Sequence, residues 1–120
     1  MKYVDGFVIP VPTKKVEAYR RMSQKASKVW KDHGALEYRE CVGDDLKVKW
    51  GLPFAETVKA KRNETVVFAW IVYKSRAHRD AVNAKVMKDP RLAAMMKEGA
   101  VMPFDVKRMA YGGFKIIVDA

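Results

Sequence analysis

Eight consecutive apolar side chains, "VVFAWIVY" at residues 66–73, constrain this chain more than any other stretch. Their β-branched and aromatic content, bounded by Asn63 and Ser75, makes them the strongest strand of the sequence. Successive side chains of a strand point to opposite faces, so a sheet with one wet face reads as an alternation. This strand does not alternate. Both of its faces must be covered, and any fold assigned to the chain has to supply two covers.

The remaining elements follow from periodicity. "KYVDGFVIPV" is a strand with Tyr3, Asp5, Phe7 and Ile9 on one face and Val4, Gly6 and Val8 on the other. "PVPT" is expected to stop it, with Thr13 capping the helix that follows. Val16, Tyr19, Met22, Ala26, Val29, Trp30 and His33 recur at helical gaps, and Gly34 supplies a left-handed end. "ALEYRECV" alternates Leu36, Tyr38, Glu40 and Val42 against Ala35, Glu37, Arg39 and Cys41. "LKVKW" reads as a further alternating piece, and Pro53 opens a possible helical turn. Ser75 caps a second helix whose inward positions read as Ala77, Ala81, Val82, Ala84, Val86 and Met87. Asp89 and Pro90 start a third, in "DPRLAAMMKEG". The segment "FDVKRMAYGGFKIIVD" reads as strand, a bend or bulge at Gly112 and Gly113, and a terminal strand.

The result is one α+β domain over residues 1–120. Its order is β-α-β-β-α-β with an extra short helix, which predicts a ferredoxin-like sandwich with both helices on one side of an antiparallel sheet. The other side then carries Phe68, Trp70 and Val72, joined by Phe7 and Ile9 if the first strand lies alongside. Burying each such side chain is worth ~1.5–3 kcal/mol, so a cover is expected there. A second copy of the chain, stacked bases of RNA, or residues 51–63 folded back could provide it. The central strand contains no cation and lacks the aromatic-basic pattern of RNA-recognition strands, which argues against nucleic acid and favours a homodimer.

The segments "YVDGFVIPVP", "HGALEYRECVGDD", "FAWIVYKSRAHRDAVNAKVMKDPR" and "MPFDVKRMAYGGF" resemble the YbaA-like family of bacterial proteins, a family of unknown function. The resemblance runs over nearly the whole chain. It implies a dimeric α/β barrel in which two ferredoxin-like sheets face each other. That fold group includes cofactor-free monooxygenases, haem-dependent enzymes, muconolactone isomerases and amino-acid-sensing domains, so the fold by itself names no activity.

Composition narrows the rest. The net charge of +10 admits acidic partners, but the cations are scattered over helix and turn positions and read as solvated faces. One cysteine, Cys41, cannot form an internal disulfide and is expected to be small and buried. With no apolar run long enough for a membrane and no signal-peptide pattern, a cytoplasmic location is expected. The two histidines, His33 and His78, show no ligand spacing, so no metal and no cofactor is expected.

Candidate site residues are few. Asp5 lies among apolar neighbours, where it needs a cation such as Arg108 or Arg39, or else takes a raised pKa suited to a general base. His78 stands in the first turn of the second helix with Arg76, Arg79 and Asp80, where backbone N–H groups can hold an anion. Asp5 and His78 are therefore the catalytic candidates, although no reaction is assigned. Asp5, Tyr38, Trp70, His78 and Arg108 are the ligand-binding candidates, with Glu40 able to line the same cavity. Asp105 and Tyr111 are open to a ligand as well. The expectation is a small ligand held between sheet and helices or at the dimer interface. A small cofactor-independent enzyme of monooxygenase or isomerase type is the alternative, and an RNA-binding module a further one.

Overall fold

A computed structural model of the chain describes residues 1–97 and 101–120. Its elements are β1 (Tyr3–Pro12), α1 (Val16–Asp32), β2 (Glu37–Val42), α2 (Phe54–Thr57), β3 (Glu64–Tyr73), α3 (Arg76–Met87), α4 (Pro90–Met95) and β4 (Ala110–Lys115). Two 3-10 turns, Thr13–Lys15 and Val106–Arg108, join them. The four strands are antiparallel in the order β2-β3-β1-β4, the ferredoxin-like arrangement predicted by the element order. The core fills the space between the sheet and the helices in two clusters. One holds Val29, Ile71, Tyr73, Val82, Val86 and Leu92, the other Ile9, Val11, Tyr19, Val67 and Ala69, and Phe7 packs against both.

Local chemistry placed several boundaries correctly. Ser75 Oγ accepts from the His78 N–H at 3.0 Å and starts α3. Asp89 Oδ1 accepts from the Arg91 N–H at 2.9 Å and starts α4, with Pro90 at its first position. Gly34 takes a φ of +113°, as a helix-ending glycine should. The predicted end of α4's segment, at residues 98–99, lies outside the described residues.

Elsewhere the structure corrects the sequence. β1 runs through Pro10 and Pro12 rather than stopping before them. The Lys2 carbonyl accepts from Ile116 on the β4 side, and the Thr13 N–H donates to Asn63 on the β3 side. Even-numbered residues of β1 therefore turn their backbone groups toward β4. Pairing with β4 ends at Val8, so neither proline has a ladder bond to lose. Thr13 sits inside the 3-10 turn, and its side chain caps nothing.

Register supplies the largest correction. Phe68 pairs with Val8, Trp70 with Gly6 and Val72 with Val4, so the uncovered face is shared with those residues. Phe7 and Ile9 pair with Ala69 and Val67 and point to the helices. A one-residue shift in pairing exchanges the faces, and nothing within β1 alone selects between the two.

Four smaller expectations also change. Residues 46–50 form no strand, because no partner strand lies beside them, and Trp50 is left 90% exposed. Val106–Arg108 is a turn because Asp105 Oδ1 accepts from the Lys107 N–H and curls the backbone. Gly112 and Gly113 lie within β4 without positive φ. On α3 only Val82 and Val86 are buried, and Ala77, Ala81, Ala84 and Met87 face outward. Cys41 is exposed, opposite Phe68 on the uncovered face.

Candidate functional site

Between sheet and helices lies a cavity of about 250 Å³ in the seam between the two core clusters. Its walls are apolar: Phe7, Ile9 and Ile71 from the sheet, Met22 and Ala26 from α1, Leu92 from α4, and Phe104. Besides the tyrosines, Ser23 of α1 and Arg39 and Glu40 of β2 interrupt them, and Glu40 is the one carboxylate among the lining residues. Glu40 is on β2 two residues after Tyr38, so alternation turns both toward the helices. The Tyr38 hydroxyl donates to Glu40 Oε2 at 2.9 Å. From α1, the Tyr19 hydroxyl donates to Glu40 Oε1 at 2.7 Å. Burial raises the pKa of both tyrosines, and the Glu40 charge raises it further, so both hydroxyls stay neutral donors.

Rings fix the geometry of this triad. Trp30 packs over Tyr38 with centroids 6.2 Å apart, and its indole N–H donates to Asn83 at 3.1 Å. Tyr19 meets Phe104 edge to face at 5.5 Å. The carboxylate is thus held at both oxygens by side chains that are themselves anchored.

The five predicted binding residues do not converge. Tyr38 alone lines the cavity. Asp5 faces the helices too, but it pairs with Arg79 of α3, whose Nη1 is 3.3 Å from Oδ1, rather than with Arg108 or Arg39. Arg79 Nη2 also donates to the Tyr3 hydroxyl at 3.3 Å, and its guanidinium lies 4.9 Å from the Tyr3 ring centre. Burial raises the Asp5 pKa, and the Arg79 charge opposes that shift. Trp70 is on the opposite face of the sheet, where its indole N–H donates to Glu37 at 2.9 Å.

His78 Nδ1 accepts from the Lys74 N–H at 3.0 Å while its own N–H serves the Ser75 cap, so the helix start is occupied by its own side chains. Arg108 is engaged by Glu64 at 2.7 and 2.9 Å and by the Lys59 carbonyl at 2.9 Å. His33 bonds Asp89 through Nε2 at 2.7 Å and ties α1 to α4. Among the described residues, no group of His, Cys, Asp and Glu could hold a metal ion, and no helix is long and apolar enough to cross a membrane.

Sequence reasoning missed Tyr19 as a site residue, because a tyrosine in a helical apolar stripe reads as core. The available signal was Glu40, a carboxylate on the inward face of an alternating strand.

Comparison with known proteins bears on the fold and the family. Among the solved structures that match, two cover nearly the whole chain. One is an uncharacterized NIPSNAP domain protein from Burkholderia xenovorans, with a TM-score of 0.56 and 14% identity over 98% of this chain and 97% of that one. The other is a dimeric ferredoxin-like protein from an uncultured marine organism, with a TM-score of 0.55 and 13% identity over 99% and 98%. At such identities the likeness supports the fold alone. Among curated proteins, the uncharacterized protein YbaA of Escherichia coli K12 is 52% identical over 120 residues, covering 99% of both chains. YbaA of Shigella flexneri matches to the same extent. The family model described as "Protein of unknown function (DUF1428)" matches residues 2–106. By that match and by its identity to these relatives, the chain belongs to the DUF1428 family.

Proposed function

We propose that this protein binds a small, largely apolar molecule in the cavity between sheet and helices, and that it does so as a homodimer with its two sheets face to face. The observation that carries the reading is the Glu40 carboxylate, held by Tyr19 and Tyr38 against otherwise apolar walls. A few convergent polar groups in an apolar hollow are the usual composition of a ligand site. At about 250 Å³ the space is smaller than the roughly 300–1,000 Å³ of drug-sized sites, which suits a metabolite of one ring or a short chain.

The test is a melting-temperature screen of small metabolites, repeated on Glu40→Gln and Tyr38→Phe. A binder is expected to raise the melting temperature of the native chain and to lose that effect in Glu40→Gln. A broad panel that leaves the native chain unmoved would remove the reading.

The same carboxylate favours a second reading, a cofactor-independent enzyme of isomerase or monooxygenase type. A base set against apolar walls and positioned by two hydroxyl donors can take a proton from a bound carbon acid. Turnover of a ligand found in the screen, lost in Glu40→Gln with binding retained, would select the enzyme over the binder.

A further inference from the structure

Surface charge and cavity chemistry point in opposite directions. The chain carries a net charge of +10, which draws anions to its surface. Inside the cavity the side-chain charge is negative: Arg39 also borders the cavity, but it alternates with Glu40, and its guanidinium lies toward Glu37 on the uncovered face. Each Glu40 oxygen accepts one tyrosine hydroxyl, and neither donor carries a charge. Glu40 takes part in none of the ion pairs among the described residues. Each carboxylate oxygen also retains capacity for a further donor.

The walls reinforce this sign. Tyr19, Trp30, Tyr38 and Phe104 line the cavity with aromatic rings, and Met22 and Met109 add polarizable sulfur. Ring faces carry partial negative charge and attract an ammonium within about 6 Å of their centroids. An ammonium meeting a carboxylate adds a charge-assisted hydrogen bond, stronger than either tyrosine contact. An anionic ligand would meet the Glu40 carboxylate, and any ring face it touched, with the wrong sign.

We propose that the cavity selects a small organic ammonium, an alkyl- or arylalkyl-amine, with its –NH₃⁺ on Glu40 and its apolar body against the methionine and aromatic walls. The proposal rests on the ligand-binding reading above and adds the ligand's class. Glu40 sets the charge, and Tyr19 and Tyr38 position the carboxylate. The positive surface does not oppose entry strongly, because exposed charges are screened beyond about 8 Å at physiological salt.

Three matched probes test it by titration calorimetry on the full chain at neutral pH and physiological salt: phenethylamine, 2-phenylethanol and 3-phenylpropionate. The amine is expected to bind at least about tenfold more tightly than the carboxylate, a difference of about 1.4 kcal/mol. Glu40→Gln is expected to lose that preference while still binding the alcohol. Equal or tighter binding of the carboxylate overturns the ammonium assignment and leaves the ligand-binding reading standing. Binding of none of the three at millimolar concentration overturns both. Amine binding unchanged in Glu40→Gln places the amine elsewhere and overturns the assignment. Should Glu40→Gln fail to fold, Ala26→Leu fills the cavity from α1; amine binding must then disappear, and its persistence overturns the proposal.

Discussion

Glu64 and Arg108 show how a residue that resembles a ligand contact can belong to the scaffold. Arg108 lies in a segment rich in unusual residues, and the sequence offered it both as a partner for Asp5 and as a ligand contact. In the structure its two terminal nitrogens reach Glu64 at 2.7 and 2.9 Å, and one of them also donates to the Lys59 carbonyl. This ties the turn before β4 to the start of β3. The hydrogen bonds from Arg108, with the Lys61 backbone N–H, lower the Glu64 pKa from 4.5 to about 2. A carboxylate with a depressed folded pKa adds stability above its unfolded value, and that stability is lost as pH falls through the folded one. Denaturant midpoints measured from pH 7 to pH 2 should therefore fall in the native chain between about 4.5 and 2. Glu64→Gln should begin lower at neutral pH and fall less across that window. Parallel curves for the two proteins would show that the pair contributes nothing. Asp5 shows a different limit on legibility. Its need for a partner was readable from its apolar neighbours, but Arg79, 74 positions away, is beside it only because the fold brings α3 against the helix-facing side of the sheet.

At the scale of elements, what was readable divides along local and non-local chemistry. The Ser75 and Asp89 caps, the Gly34 terminus and the apolar run of β3 are written within a few residues of where they act, and the structure places all four as expected. Register, by contrast, is a property of two strands. The alternation of β1 was correct, yet only the pairing of Val8 with Phe68 shows which of its faces meets the helices. The candidate site divides in the same way, since Tyr38 and Glu40 follow from alternation in β2 while Tyr19 joins them only through the packing of α1. The Gly112–Gly113 pair, read as a bend, answers to a close approach instead. A Cβ on Gly113 would meet the Tyr3 hydroxyl and ring carbons at 2.4 to 2.8 Å, whereas one on Gly112 would come no closer than 3.8 Å to Phe114. Gly113→Ala should therefore force the buried Tyr3 ring to move and cost ~1–3 kcal/mol, as overpacking does. Gly112→Ala should be tolerated. Urea unfolding of both variants distinguishes the explanations: equal costs would mean that backbone freedom, and not Tyr3, requires the pair.

The whole molecule is a slab of 40 × 38 × 20 Å, with α1, α3 and α4 on one broad side and largely bare sheet on the other. That bare side carries Val4, Val8, Phe68, Trp70, Val72 and Phe114, with Phe54 of α2 edge-on to Phe68 at 5.9 Å. Phe68 remains 42% exposed and Phe114 60%, so the chain's own residues do not complete the cover. A stable interface needs about 800 Å² per partner, which a face of this breadth can provide, and a two-fold axis through it sets the patch against itself. Phe68→Glu places a charge at the centre of the patch while leaving the helix side of the sheet untouched. Sedimentation velocity at micromolar concentration should therefore find a dimer for the native chain and a monomer for Phe68→Glu, with unchanged far-ultraviolet circular dichroism. A native chain that sediments as a monomer at that concentration would leave the patch to another occupant. The same face displays aromatic rings, with Arg39 paired opposite Trp70. If the monomeric chain bound single-stranded RNA with a steep salt dependence that Phe68→Glu abolished, the face would pass from self-association to nucleic acid. Because the cavity lies on the other side of the sheet, its ligand affinity should be the same in native and Phe68→Glu chains. A loss of binding on dissociation would show instead that the second copy helps to form the site.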